Sequence, residues 1–488
     1  SFYNYIYCDD LGNLTQVPVF RQSDTSYNEL HIKGDTSLER VQRDAFQGLH
    51  VQNLRLQKLG IRIIEDGAFN GLEEDLLELH LDDNNIKSLP ANVFRSLLRV
   101  TYLGLQNNAI QSLPADIFKG MGSLRYLYLF HNRISTLPTD SFSSLKQLVG
   151  IYLHNNEITR IGDVFHSLTE LTELELNDNQ IADISSNSLQ TVKKLNRLDL
   201  ANNAIETLPR GMFDSLTDLV HLDLTNNQLS TLPMHVFQKL GNLERLYLAN
   251  NRLRDLDMGI FGNLTNLRKL YLFDNRINSL PDGLFKNLSK LQTLHLYHNE
   301  IPEIRRASLQ GLLHLNDLNL EDNMIWNVEQ DTFHDTVQLS TLELSTNDIE
   351  TLSPGMFSTL SSLTDIKLGS NKIRTIPSGV FSSLTSLETI YLDANIISNI
   401  ADRAFNDLPK LMHLDLKINH MTTLSDDVFN NIPNIRTLDL TDNRINEVPT
   451  ATIKRIQSLT SLILDGNKLT SLKDYACRDI RLEKLSMA

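Results

Sequence analysis

"LHLDDNNI" at residues 79–86 and "LGLQNNAI" at residues 103–110 are one pattern met twice, 24 residues apart. Leu79, Leu81, Asn84 and Ile86 return as Leu103, Leu105, Asn108 and Ile110. Following that step finds an asparagine at each stop from Asn84 to Asn467, seventeen in phase, with one 23-residue step between Asn156 and Asn179. Upstream, "LRLQKLGI" keeps the leucines and puts Leu59 at the asparagine position, and "LHIKGD" puts Asp35 there, which makes nineteen repeats. Single hydrophobic cores stop growing near ~250–300 residues. A 488-residue chain in one unbroken phase therefore reads as a repeat array rather than as a row of separate domains.

The spacing assigns a job to each position. Alternation in "LxL" buries two leucines of a short strand and turns their neighbours outward. The asparagine carries both a donor and an acceptor, which suits it to the backbone groups of a turn inside the stack. Ten residues after it comes an aromatic register of Phe94, Phe118, Phe142, Phe213, Phe237, Phe261, Phe285, Phe333, Phe357, Phe381, Phe405 and Phe429, with Phe165 one position early after the short repeat. This is expected to be a core spine, continued by Leu189, Leu309, Ile453 and Cys477 where phenylalanine is missing.

These residues resemble the leucine-rich repeat family in its 24-residue form, with "LPxxxFxxL" on the returning side. The resemblance covers residues 30 to 480, and it implies an α/β repeat solenoid, a horseshoe with a parallel concave sheet and about nineteen repeats. The expected organisation is an N-terminal cap over 1–29, the solenoid over 30–470 and a C-terminal capping segment over 471–488. "CDDLGNLTQVP" looks like the end of the cap found on extracellular members, although those usually carry several cysteines per cap and this chain has two in all, Cys8 and Cys477. The two are not expected to bond within a chain. Strands ~4.8 Å apart carry nineteen repeats along an arc of about 90 Å, and a disulfide needs Cα atoms within ~7 Å.

Three sequons occur, at Asn13, Asn263 and Asn287. The last two fall twelve residues after a ladder asparagine, on the returning side, where a glycan would be solvated. With the cap and the repeat type, they point to a secreted or extracellular location. No run approaches the ~18 apolar residues of a membrane span, and "SFYNYIYCDD" has neither the basic region nor the apolar stretch of a signal peptide. A net charge of −15 argues against nucleic acid, which asks for clustered Lys and Arg.

Catalysis has little to stand on. There is no Gly-rich phosphate loop, no "GxSxG" and no "HExxH". His131 with His154, and His295 with His298, are the best metal candidates, but histidine is ordinary on a mixed polar face and no metal or cofactor is expected. Glu173, Glu175 and Asp178 in one repeat read as a solvated surface.

The positions six, four, two and one residues before each ladder asparagine should face outward on the concave strands. In the repeats of Asn108, Asn132 and Asn156 they hold Tyr102, Tyr126, Tyr128, Phe130, His131, Tyr152 and His154. In those of Asn251, Asn275 and Asn299 they hold Arg245, Tyr247, Lys269, Tyr271, Phe273, His295 and Tyr297. Between the fields lie Glu173, Glu175, Asp178, Asp199 and Asp223. Tyrosine is a good strand former, yet clustering on adjacent strands favours binding, where its rigid body and polar tip are useful. The fields are centred six repeats apart, about 29 Å at ~4.8 Å per strand, so one large ligand and two separate ones are both open.

The sequence thus suggests a secreted non-catalytic scaffold that engages a partner protein, an enzyme subunit or a cationic protein, through its concave face. It resembles soluble members of the class such as the acid-labile subunit, the carboxypeptidase N regulatory subunit and the non-catalytic subunit of a crustacean luciferase, which escort or stabilise an active partner. The alternative is the ectodomain of a Toll- or Slit-like surface receptor. That alternative expects a Cys-rich cap and a membrane span, where "DYACRDIRLEKLSMA" shows one cysteine.

Overall fold

A computed structural model describes residues 5–8 (backbone), 15–17, 20, 26–32, 38–470 and 482–488. Asn13, Asp35 and Cys477 lie outside the described residues, as does the side chain of Cys8. The chain forms two compact units, Ser1–Leu246 and Tyr247–Ala488. Both are turns of a parallel-sheet solenoid.

In the first unit every repeat contributes a short strand that pairs in parallel with the next. The rows run Tyr102, Tyr126, Gly150, Glu173, Arg197, His221, and, two residues on, Gly104, Tyr128, Tyr152, Glu175, Asp199, Asp223. A strand also occurs inside the first capping segment, where Tyr5–Cys8 pairs with Glu29–Ile32. The second unit repeats the design from Lys269–Tyr271 onward to Ser461–Ile463, which pairs with Lys484–Ser486. The leucines between the rows are sealed, Leu127, Leu129, Leu270 and Leu272 all being 0% exposed.

The asparagine ladder does the work expected of it. Asn132 donates from Nδ2 to the carbonyls of Leu105 and Leu129, each at 3.0 Å, and its Oδ1 accepts from the Ile110 amide at 3.0 Å. One side chain thereby satisfies buried backbone groups in two consecutive turns. The 23-residue step is absorbed without loss, since Asn179 reaches the Leu153 carbonyl at 3.0 Å and accepts from the Ile158 amide at 3.0 Å. The spine is equally regular. Phe118, Phe142 and Phe165 stack at 5.8 and 6.1 Å, and Phe46 and Phe69 extend it upstream of the expected start.

The repeat solenoid with its parallel sheet is as expected, and its helical part is small: the described residues hold one α-helix, the five-residue Thr450–Lys454, and one short 3-10 turn, Arg306–Leu309. Elsewhere the returning side is built of single turns, such as the Val93 amide to the Pro90 carbonyl at 3.1 Å and the Leu97 amide to the Phe94 carbonyl at 3.1 Å, with two-residue strand pairs such as Arg160–Ile161 with Asp183–Ile184. So few residues separate the proline from the closing leucine that a helix would spend most of its length on its costly nucleus. One expectation is corrected: the position just before each asparagine is no outward strand site. His131, Asp178 and His298 have φ of 51°, 54° and 50°, so they turn the chain in the left-handed region, which explains the frequency of Asn and Asp there. Thr346, at φ 55°, and Ile418, at φ 52°, are costly exceptions because a β-branched side chain clashes in that region.

Candidate functional site

The first field is a continuous run of rings rather than scattered exposed aromatics. Tyr128 stacks on Tyr152 with centroids 4.5 Å apart and planes within 6°, and Tyr102 leans on Tyr128 at 4.9 Å. Phe130 stacks on His154 at 4.4 Å, and His131 meets both edge-on, at 5.5 and 6.0 Å. The rings cover one another, so Tyr102, Tyr126, Tyr128, Phe130 and Tyr152 are half-buried instead of exposed.

Two residues not singled out from the sequence make this packing possible. Gly104 and Gly150 stand in the strands themselves, where glycine weakens pairing and marks a close approach. A Cβ on Gly150 would lie 2.9 Å from the Tyr152 hydroxyl and 3.1 Å from the Tyr126 ring; one on Gly104 would lie 3.3 Å from the Tyr102 ring. The signal was present in "YLGL" and "VGIYL". His80, one repeat upstream and also not singled out, extends the run with its ring 4.5 Å from Tyr102.

Electrostatics follow from the partial burial. Burial, with Tyr128 and Asp82 nearby, pushes the Tyr102 phenol up to about 12. Tyr152 is raised by burial and by the Glu173 carboxylate, to which its hydroxyl donates at 2.5 Å. These phenols remain neutral donors at any physiological pH. Glu175 is held below the usual carboxylate range, first by His154, whose Nδ1 lies 3.2 Å away, and further by Arg197.

In the second unit Tyr271 touches Tyr247 and His295, each at 4.9 Å, and Phe273 stacks on Tyr297 at 4.4 Å. Its histidines are turned to carboxylates, not to each other. His295 Nε2 is 2.9 Å from Asp317, and His298 lies between Asp274 at 2.7 Å and Asp322 at 3.3 Å. Lys269 and His298 are exposed at the margins of this field, and Arg245, in the first unit, is also exposed. Asn263 and Asn287 are exposed on returning turns, with Asn287 Nδ2 donating to the Gly262 carbonyl at 2.7 Å.

On the first unit one cluster was not foreseen: Asp199, His221 and Asp223, with ligand-capable atoms all within 4.8 Å of one another. Burial, then the neighbouring Asp223, pushes Asp199 up to about 6. Burial, then Arg197, brings His221 down to about 4.

Fold and face together define a repeat scaffold. The description "Leucine rich repeat" matches residues 74–134, 131–181, 169–229, 218–277, 265–325, 313–373, 337–397, 385–445 and 433–488, and the chain belongs to that family. Among solved structures it is similar to Toll in the Toll–Spatzle complex from Drosophila, at 21% identity and a TM-score of 0.73, covering 91% of this chain and 61% of that one. It is similar to a Leptospira interrogans LRR protein, at 24% identity and a TM-score of 0.56 over 92% and 93% of the two chains. The plant peptide hormone receptor RGFR1 in complex with RGF2 aligns at 20% identity and a TM-score of 0.60, over 100% and 92%. These likenesses show the fold. In sequence, 68 residues are 41% identical to the follicle-stimulating hormone receptor of Equus asinus, 14% of this chain and 10% of that protein. The chain therefore matches about a tenth of that relative's length. Among the described residues no helix is long and apolar enough to cross a membrane.

Proposed function

We propose that the chain is an extracellular, non-catalytic binding scaffold that holds a partner protein against the strand face expected to be concave. The observation that carries this reading is the stacked run Tyr102–Tyr128–Tyr152 beside Phe130–His154, half-buried and so still partly accessible. Aromatics held by their neighbours lose little entropy on docking, which is what a binding anchor requires. Tyr126 completes the first contact region, and Tyr247, Tyr271, Phe273 and Tyr297 form the second. The carboxylates around both favour a cationic partner. Scaffolds of this fold generally bind rather than catalyse, and the role proposed is the regulatory or stabilising subunit of a complex.

The receptor reading has a specific support of its own. Toll with Spatzle and RGFR1 with RGF2 were both solved as complexes, so this solenoid accommodates a bound partner in proteins of similar fold. Under that reading the same face takes a ligand.

Purifying the protein undenatured from its source, and identifying what travels with it, supplies the partner. Tyr128→Ala and Phe130→Ala should then each weaken binding by about 2 kcal/mol or more if they are anchors. Variants that bind like the parent would remove the first field from the interface. Glycans at Asn263 and Asn287 should appear as a mass loss on glycosidase treatment of the native protein; an unmodified chain argues for an intracellular scaffold instead.

A further inference from the structure

The strands Arg197–Asp199 and His221–Asp223 pair in parallel, and their register sets Asp199 directly beside Asp223. His221, two residues before Asp223, projects to the same face. Like charges opposed across a ladder are destabilising; Asp199 is 8% exposed, the adjoining His221 9%, and Asp223 is half-buried. Glu175 continues the row on the other side of Asp199. The contacts that hold the carboxylates are few. The Ala201 amide donates to Asp199 Oδ1 at 3.1 Å, Arg197 Nη2 donates to Asp199 Oδ2 at 3.1 Å, and the Thr225 amide donates to Asp223 Oδ1 at 2.8 Å. Arg197 is also shared, its Nε lying 3.4 Å from Glu175 Oε1. One guanidinium thus serves Glu175 and Asp199, the first two carboxylates of the row.

We propose that Asp199, His221 and Asp223 form a binding site for a divalent transition-metal ion, zinc foremost, on the strand face of the first unit. The donor set decides the class. One imidazole nitrogen with two carboxylate oxygens suits zinc and its first-row neighbours, whereas calcium and magnesium ask for oxygen ligands alone. With bonds of ~2.0–2.2 Å, the ligand atoms of a tetrahedral zinc site stand about 3.4 Å apart. The present spread of up to 4.8 Å closes to that by side-chain rotation. Each carboxylate keeps Oδ1 on a backbone amide, which orients it as a ligand, and Asp199 Oδ2 exchanges its Arg197 contact for the metal.

Three protein ligands leave a coordination position open towards solvent, for a water or for a side chain of whatever docks there. His298 shows what the cluster has that the other histidines lack. It lies between Asp274 and Asp322, but the two carboxylates approach different ring nitrogens, Nδ1 and Nε2, and so share no common point. The metal site does not depend on the proposed partner binding, because it is complete within this chain.

The test uses protein stripped with a chelator, dialysed, and titrated with zinc chloride by calorimetry at neutral pH. Cobalt(II) absorption spectra serve as a second readout of the ligand set. One zinc should bind per chain and raise the melting temperature of the parent, as any ligand specific to the folded state does. His221→Ala and Asp223→Asn should each weaken it by about tenfold or more. Both variants should melt cooperatively without metal, and Asp223→Asn, which removes a repelling charge, no earlier than the parent. Absence of stoichiometric zinc binding overturns the proposal. So does binding that survives both substitutions and is lost instead in His131→Ala or His298→Ala.

Discussion

The two aromatic fields occupy the same offsets from the asparagine ladder and arrive at different surfaces. In the first, Tyr152 lies over Gly150 and Tyr102 over Gly104, so the room for the rings comes from missing side chains. In the second, the position level with Lys269 is Thr293, and Tyr271 leans on His295. The first field is closed on its polar side by the Tyr152 to Glu173 hydrogen bond. In the second, neither Tyr271 nor Tyr297 makes such a bond among the described residues, and the border is formed by imidazole–carboxylate contacts at His295 and His298, a type of contact the first field also has at His154. The strand position of an aromatic residue therefore determines only which face it is on. Whether it lies flat or stands among charges is decided by its neighbours on the same row.

The widest prediction concerns what the fields share. Leu129 and Leu272 are both fully buried beneath their rings. Leu129→Ala and Leu272→Ala should each cost about 2 to 5 kcal/mol in urea unfolding, through the cavity left in a closed stack. Tyr128→Ala loses ring contacts alone, at about 0.5 to 1.5 kcal/mol for each aromatic pair. If Leu272→Ala costs far less than Leu129→Ala, the fields do not rest on equivalent cores and the comparison fails at its base.

A smaller effect separates them. Alanine is ordinarily better than glycine inside a strand, by roughly 0.5 to 1 kcal/mol. At Gly150 the added Cβ meets the Tyr152 hydroxyl at 2.9 Å, so the ring must leave its place and weaken its bond to Glu173. Gly150→Ala should therefore destabilise by about 1 kcal/mol against that trend and change the near-ultraviolet circular dichroism of the tyrosines. Thr293→Ala, at the matching position of the second field, should leave that spectrum unchanged. Identical spectra for parent and Gly150→Ala would show that the glycine notch does not seat the ring.

Much of this was readable from one spacing. The 24-residue step predicted the strands, the buried leucines, the asparagine ladder and the phenylalanine spine, because each depends on position within a turn and not on distant partners. It also put the tyrosines on the strand rows that flank the buried leucines. What escaped it depends on lateral contacts between turns. The stacking of Tyr128 on Tyr152, the space at Gly104 and Gly150, and the meeting of Asp199 with His221 and Asp223 are set by side-chain rotamers across neighbouring strands. The left-handed residue before each asparagine was hidden differently. Period-2 alternation was carried one position too far, although the recurrence of Asp and Asn there already marked a turn.

The smallest expected effect concerns acid, and it sets the edge of the first field apart from the second. His80 is 6% exposed, against the Tyr102 ring, with Glu78 Oε2 at 3.3 Å and Asp82 Oδ1 at 4.0 Å. Burial lowers its imidazole below the ordinary 6.5, Arg55 adds to the lowering, and Glu78 and Asp82 oppose it. A histidine held neutral in the folded chain takes up its proton more readily when unfolded. The unfolded state then binds more protons in the window from 6.5 down to the lowered value, and stability falls as pH drops through that window. Other groups titrate under the same conditions, so the parent alone cannot isolate this contribution. His80→Gln removes the titrating group and keeps a polar side chain of similar reach. Thermal melts of both proteins at pH 7.5, 6 and 5 should show a smaller acid-induced decrease in the variant, whatever constant offset the substitution introduces. Parallel decreases would mean that His80 is solvated or charged in the folded chain, and the first field would then lose the closed, buried edge that distinguishes it from the second.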